Sequence, residues 1–248
     1  MIAAAAQSRV FDTPDELARH AAEWVVECAR QSGPRFAICL SGGATPQRLY
    51  ELLAAPAYRL RMPWERTHWF WGDERFVPHD DPQSNYRMAR EALLRHVPVP
   101  ADNVHPIPTE GLSVEQCAAD YEAVLKRFYG ADVFDAGRPL FDVVLLGLGE
   151  DGHIASLFPQ SPALAETRRW VVPAVGAGAV ERITLTYPAL QSSRRTAFIV
   201  AGARKRAVLA KVRGGADASL PAVRLRPAGA VEWFVDRAAA SAAAFARE

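Results

Sequence analysis

A histidine can move a proton near neutral pH, and His153 is the histidine of this chain with the most suggestive surroundings. It lies in Leu145-Leu146-Gly147-Leu148-Gly149-Glu150-Asp151-Gly152-His153-Ile154-Ala155-Ser156-Leu157-Phe158-Pro159. An apolar run, Phe141 to Leu146, reads as a buried strand and breaks into a glycine-rich turn. Asp151 stands two residues before the histidine. Glycines let the backbone turn sharply and approach a ligand closely. One loop therefore offers a ligand cradle and a proton-transfer group.

Other readings of this loop are weaker. Gly147, Gly149 and Gly152 satisfy the G-x-G-x-x-G dinucleotide fingerprint, yet Glu150 and Asp151 in the same loop would repel a pyrophosphate. The acid that should follow about 20 residues on is replaced by Arg168-Arg169-Trp170-Val171-Val172. A tight turn with a solvated acid and a structural histidine is the plain alternative. The chain has no G-x-S-x-G elbow for a serine nucleophile and no H-E-x-x-H or comparable metal-ligand spacing.

Three further segments could serve an anionic ligand. Ser41-Gly42-Gly43-Ala44-Thr45-Pro46 is a strand-to-helix turn of small and hydroxyl residues, whose amides and following helix N-terminus suit an anion. No lysine follows it, so it is not a nucleotide P-loop. Asp73-Glu74-Arg75 follows an aromatic strand, and an arginine fork suits phosphate; an ion pair at a loop start is the plainer reading. Lys205 opens a helix after a strand and can reach the same sheet edge, although a solvated lysine would look identical. His20, His68, His79, His96 and His105 have no partner spacing and read as structural or surface residues.

The elements that must position these groups alternate. Thr13-Pro14-Asp15-Glu16 caps a helix running to about Ser32, and a second starts at Thr45-Pro46 and runs through Leu53. Further helices are expected over Ser84 to Arg95, from Ser113 to Tyr129 behind a capping box, over Pro188 to Ser192, over Ala203 to Arg213, and in the alanine-rich terminus. Strands are expected at Phe36–Leu40, Thr67–Trp71, Phe141–Leu146, Val171–Val175, Ile183–Thr186, Thr196–Val200 and Val231–Val235. Gly72 to Gln83 reads as a long polar loop and Gly176-Ala177-Gly178-Ala179 as a mobile one. The pattern predicts a three-layer α/β/α, Rossmann-like fold, a mostly parallel sheet with helices on both faces, in a single domain over residues 1–248. Ligands bind such sheets beyond the carboxyl ends of the strands, where the three polar turns fall.

Composition bounds the partners. The 248 residues are 50% hydrophobic and 23% charged, with a formal net charge of +1. No global field draws such a chain to nucleic acid or membrane, and Arg204-Lys205-Arg206 is too short for a nucleic-acid patch. No run approaches the ~18 apolar residues of a transmembrane helix, and Met1 to Ser8 lacks a basic n-region for a signal peptide. Cys28, Cys39 and Cys117 form no CxxC pair. A reduced cytoplasmic setting is expected, with no nucleic-acid or membrane partner and a monomer or weak homo-oligomer.

Together the segments resemble the glucosamine-6-phosphate isomerase/6-phosphogluconolactonase family, on its lactonase side. The matching pieces are Leu40 to Pro46, Trp71 to Val77, Asp81 to Ala89, Gly147 to Pro159, Arg182 to Thr186, Gly202 to Lys205 and Leu220-Pro221-Ala222, in family order across nearly the whole chain. The resemblance implies a fold shared with glucosamine-6-phosphate deaminases and a site that needs no metal and no cofactor. It implies that His153 is the catalytic histidine and Asp151 its acid. It also implies that Asp73, Arg75, Lys205 and the Ser41, Gly42, Gly43, Thr45 turn bind substrate, with Arg75 and Lys205 directed to phosphate. Ala44 stands where many members carry Ser. Gly176 to Glu181 replaces a proline-rich stretch.

The expected partner is then a small sugar-phosphate lactone, 6-phospho-D-glucono-1,5-lactone. Neutral His153 would activate a water, Asp151 would orient the imidazole, and the amides of Gly149 and Gly152 are candidates for the oxyanion. A deaminating sugar-phosphate isomerase is one alternative, disfavoured by Arg75 where that family typically has Tyr. A non-catalytic sugar-phosphate sensor is another, disfavoured by the presence of both Asp151 and His153.

Overall fold

The computed structural model describes residues 7–111, 113–176, 180–215 and 217–240. Ten strands are named in chain order: β1 Gln7–Phe11, β2 Phe36–Leu40, β3 Thr67–Trp71, β4 Asp73–Arg75, β5 Val104–His105, β6 Phe141–Leu146, β7 Val171–Val175, β8 Glu181–Leu185, β9 Ser193–Val200 and β10 Ala230–Asp236. The helices are α1 Pro14–Gln31, α2 Ala44–Ala54, α3 Pro56–Arg59, α4 Asn85–Ala92, α5 Val114–Tyr129, α6 Tyr187–Gln191, α7 Arg206–Gly214 and α8 Pro221–Arg224.

Seven strands form one sheet in the order β1-β10-β9-β6-β2-β3-β5, and every neighbouring pair is parallel. Parallel sheets need both faces covered, and the central strands show it: all five residues of β2 are buried, and so are Val143 to Leu146 of β6. From β2 the chain moves outward to β3; from β6 it moves the other way, to β9. The boundary between β2 and β6 is the topological switch point, where a crevice opens at the carboxyl ends. The expected fold class is the observed one.

The helices start where the caps place them. The Thr13 hydroxyl accepts from the Glu16 amide at 3.1 Å. At α5 the Ser113 and Gln116 side chains bond each other's backbone amides, a full capping box. Such caps satisfy donors that the first helical turn leaves free.

Several expectations are corrected. The stretch from Gly72 to Gln83 is not all loop: Asp73–Arg75 is strand β4, joined with β8 and β7 in a small antiparallel sheet, order β4-β8-β7. Its three polar residues carry no strand signal in sequence; pairing with β8 makes them one. The helix expected to Arg95 ends at Ala92, because Leu93 leaves helical geometry (φ −134°, ψ −67°) before a short 3₁₀ turn, Leu94–His96. The first turn expected in α7, Ala203–Lys205, is likewise 3₁₀. β1 and β5 were absent from the sequence pattern, being respectively a largely exposed edge strand and a two-residue pair. Most of the glycine loop expected at 176–179 and of the terminal alanine-rich helix lies outside the described residues.

Candidate active site

Two buried tyrosines fix the strand ends that carry the site. The Tyr50 hydroxyl donates to the Ser41 carbonyl at 2.8 Å and accepts from the Ser41 amide at 3.0 Å. The Tyr121 hydroxyl does the same for Trp71, donating to its carbonyl at 3.1 Å and accepting from its amide at 2.9 Å. The peptide just beyond β2 and the last peptide of β3 are thus held by side chains, since the ladder ends there. Burial pushes both phenols up, so the hydroxyls stay protonated and able to donate.

The turn after β6 folds upon itself. The Gly149 amide donates to the His153 carbonyl at 2.9 Å, and the Gly152 amide to the Gly149 carbonyl at 3.0 Å. Both amides are spent on closing the loop, so the expectation that they receive an oxyanion is corrected. Within this loop His153 Nδ1 lies 2.6 Å from Asp151 Oδ1, and the same oxygen accepts from the His153 amide at 3.1 Å. Burial raises the Asp151 carboxyl, but the His153 charge and hydrogen bonds outweigh it and hold the group below its ordinary value. An ionised Asp151 only accepts, so in the neutral ring the proton sits on Nδ1 and the lone pair on Nε2, the form a general base needs. The ring packs on Phe158, with centroids 4.6 Å apart.

Gly149 is required by this geometry. A Cβ there would lie 2.1 Å from His153 Nδ1 and 2.6 Å from Asp151 Oδ1. Any side chain would occupy the space of the pair.

The Ser41–Thr45 turn faces this loop across the switch point. The Gly147 amide donates to the Ser41 hydroxyl at 3.3 Å. Gly43 caps α2 with no side chain bonded to the helix amides, leaving the first-turn donors and the positive end of the helix dipole for an anion. Thr45 lies inside this first turn, because α2 starts at Ala44, one residue earlier than expected. Lys205 stands on the adjoining turn after β9, tied to the glycine turn by Arg204 Nε, 3.4 Å from Glu150 Oε1. Among the described residues its ammonium has no carboxylate within ion-pair distance.

The second cationic feature includes a residue that sequence reading did not single out. Across the antiparallel β4–β8 ladder Arg75 sits directly opposite Arg182. Both side chains bury an Nε with no partner, while Arg75 Nη1 donates to the Gln83 carbonyl at 2.7 Å. Burial, then the charge of Arg75, holds Arg182 below the usual guanidinium value, against the pull of Asp73 and Glu74. Arg182 lies over the Phe158 ring, 5.5 Å from its centroid, so Phe158 touches both this arginine and His153. Like charges opposite one another are unfavourable, and an anion between them would relieve both. The segment Arg182 to Thr186 was legible as a match, but only the β4–β8 register puts Arg182 beside Arg75.

Asp73 is corrected in role. Asp73 was expected to touch substrate, yet it is only 6% exposed, and Asp73 Oδ2 accepts from the Ser156 hydroxyl at 2.6 Å. Glu74, given no role of its own in the sequence reading, caps α4 with its carboxylate, accepting from the amides of Asn85 and Tyr86 at 2.7 Å each and from the Ser84 hydroxyl at 3.0 Å. Burial outweighs these bonds and raises its carboxyl.

A parallel sheet covered by helices, with a histidine–carboxylate pair on the turn beyond β6 and two arginines paired across β4 and β8, has the architecture of an α/β enzyme. The chain belongs to the glucosamine-6-phosphate isomerase/6-phosphogluconolactonase family, whose model matches residues 12–233. It is 42% identical over 212 residues to a 6-phosphogluconolactonase of Nostoc, covering 85% of each chain. It is 45% identical over 205 residues to one of Synechocystis, covering 82% of each. The solved structure of 6-phosphogluconolactonase from Trypanosoma cruzi superposes with a TM-score of 0.83 at 32% identity, over 94% of this chain and 95% of that one.

Proposed function

We propose that this chain hydrolyses 6-phospho-D-glucono-1,5-lactone to 6-phospho-D-gluconate, the lactone-opening step of the oxidative pentose phosphate pathway. The observation that carries the reading is the His153–Asp151 pair at 2.6 Å, on the switch-point turn of a chain 45% identical to a 6-phosphogluconolactonase.

His153 Nε2 takes a proton from water as the water oxygen attacks C1. The carbonyl π bond breaks to leave a tetrahedral oxyanion. Collapse breaks the bond from C1 to the ring oxygen, and the proton on Nε2 passes to that leaving oxygen. Asp151 fixes the tautomer and stabilises the transient imidazolium. Arg75, Arg182, Lys205 and the uncapped first-turn amides of α2 hold the substrate's phosphate. Anchoring that remote group positions C1 and supplies binding energy to the transition state.

The test is acid release from lactone made in situ by glucose-6-phosphate dehydrogenase, read against spontaneous hydrolysis. Acceleration that His153→Ala abolishes is the expected result. No acceleration, with ammonia released from glucosamine-6-phosphate instead, would replace this reading with the deaminase.

A further inference from the structure

One buried carboxylate, Asp73, contacts residues of three different segments around the site. Asp73 Oδ2 accepts from Ser156 Oγ at 2.6 Å and lies 3.8 Å from Arg182 Nη1. Asp73 Oδ1 lies 3.4 Å from Asn85 Nδ2, which also donates to the Asp73 carbonyl at 2.9 Å. Asn85 in turn presses on the first turn: a Cβ on Gly42 would lie 2.1 Å from Asn85 Oδ1. Ser156 follows His153 by three residues and is fully buried, its amide donating to Thr184 Oγ1 at 3.1 Å on β8. The bend that aims Ser156 inward needs Ala155 at φ +47°, a left-handed conformation that costs a non-glycine residue energy. The fold thus accepts local strain to bring this hydroxyl to Asp73.

We propose that Asp73 is the positioning residue of the site, holding Arg182 beside Arg75 as a preformed two-guanidinium cradle and locking that cradle to the Gly42 turn and to the His153 segment. Without a fixed counter-charge, two arginines opposite one another in a half-buried ladder would turn their heads apart into solvent. Asp73 is almost wholly buried, and its effect is exerted through Arg182. The proposal rests on the reading of the arginine pair as an anion site, and deepens it.

The experiment uses the full chain with Asp73→Asn, which keeps the shape and the neutral hydrogen bonds and removes the charge. Calorimetric binding of inorganic phosphate and of 6-phosphogluconate is measured beside lactone kinetics. Removing one partner of a buried charge pair should weaken phosphate binding roughly tenfold or more, with the kinetic loss concentrated in KM rather than kcat. In an Arg182→Gln background the same substitution should add little, since nothing is left to position. Unchanged phosphate affinity, a loss confined to kcat, or strict additivity with Arg182→Gln would overturn the proposal. If Asp73→Asn does not fold by circular dichroism, Ser156→Ala decides, with a smaller loss of phosphate affinity expected and an unchanged affinity overturning it. A wild-type chain whose phosphate affinity falls on Asp73→Asn but that opens no lactone would keep this proposal and remove the lactonase reading. A chain that opens lactone with no Asp73-dependent affinity would do the reverse.

Discussion

The Gly147 amide donates to the Ser41 hydroxyl across 3.3 Å, joining the two strands whose onward connections leave in opposite directions. β2 and β6 are neighbours in register, with Ile38 opposite Val143 and Cys39 opposite Val144. The bond sets how far apart the anion-binding turn and the histidine turn stand. A substrate with an anion at one end and a reactive carbonyl at the other must span that gap.

His153→Ala should lower kcat by ~10²–10⁴-fold, the usual worth of a general base, with little change in KM. Steady-state lactone kinetics at neutral pH check it. Full activity above the spontaneous rate in this variant would remove His153 from the chemistry.

Gly149→Ala should fold and be nearly inactive. The new methyl overlaps the positions of His153 Nδ1 and Asp151 Oδ1, so the pair must part while the sheet beneath is undisturbed. A normal melting curve with kcat reduced at least as far as roughly tenfold is the expected pairing. Retained kcat would mean that the 2.6 Å contact is dispensable.

Arg182→Gln should raise KM for lactone by roughly tenfold to a hundredfold, the worth of a charge-assisted hydrogen bond. Product inhibition by 6-phosphogluconate should weaken in parallel. Inhibition of undiminished strength would remove Arg182 from the phosphate site.

Tyr50→Phe should destabilise the chain by about 1–3 kcal/mol, because the Ser41 amide and carbonyl both lose their hydroxyl partner in a part-buried place. Urea unfolding measures it. A change within error would show that water replaces the phenol freely.

Stability should fall on acidification through a histidine pair. His68 Nδ1 lies 3.2 Å from His105 Nε2 across β3 and β5, a pairing that sequence spacing did not reveal. Burial, then the His68 charge, pushes His105 down to about 4, against the pull of Asp102; burial, then Arg35, lowers His68. A depressed folded value means that the native state favours the neutral ring. That contribution is fully present above the unfolded value of 6.5 and is lost as pH falls toward about 4. Allowing for solvent around the half-buried rings, it amounts to about 1–2 kcal/mol. Urea melts at both ends of this range should show His105→Phe losing less stability than wild type. An identical loss would place the acid sensitivity elsewhere.

The sequence determined the layers and the main chemical groups. Apolar runs such as Phe36–Leu40 and Phe141–Leu146 are central strands because a strand buried on both faces must be apolar throughout. Caps at Thr13 and Ser113 mark helix starts because they bond amides only a few residues away. The His153–Asp151 pair was legible for the same reason, its two members being close along the chain.

What only the tertiary structure decided depends on register between distant segments. No local signal makes Asp73-Glu74-Arg75 a strand; its pairing with β8, over a hundred residues later, does, and that pairing sets Arg182 opposite Arg75. The same folding buries Asp73 against Ser156 and turns Glu74 into the cap of α4. The Gly149 and Gly152 amides looked available because a sequence does not reveal which carbonyl a loop will close upon. Residue types and short spacings named the groups able to do chemistry; long-range pairing and burial divided them into those that face the crevice and those that hold the others in place.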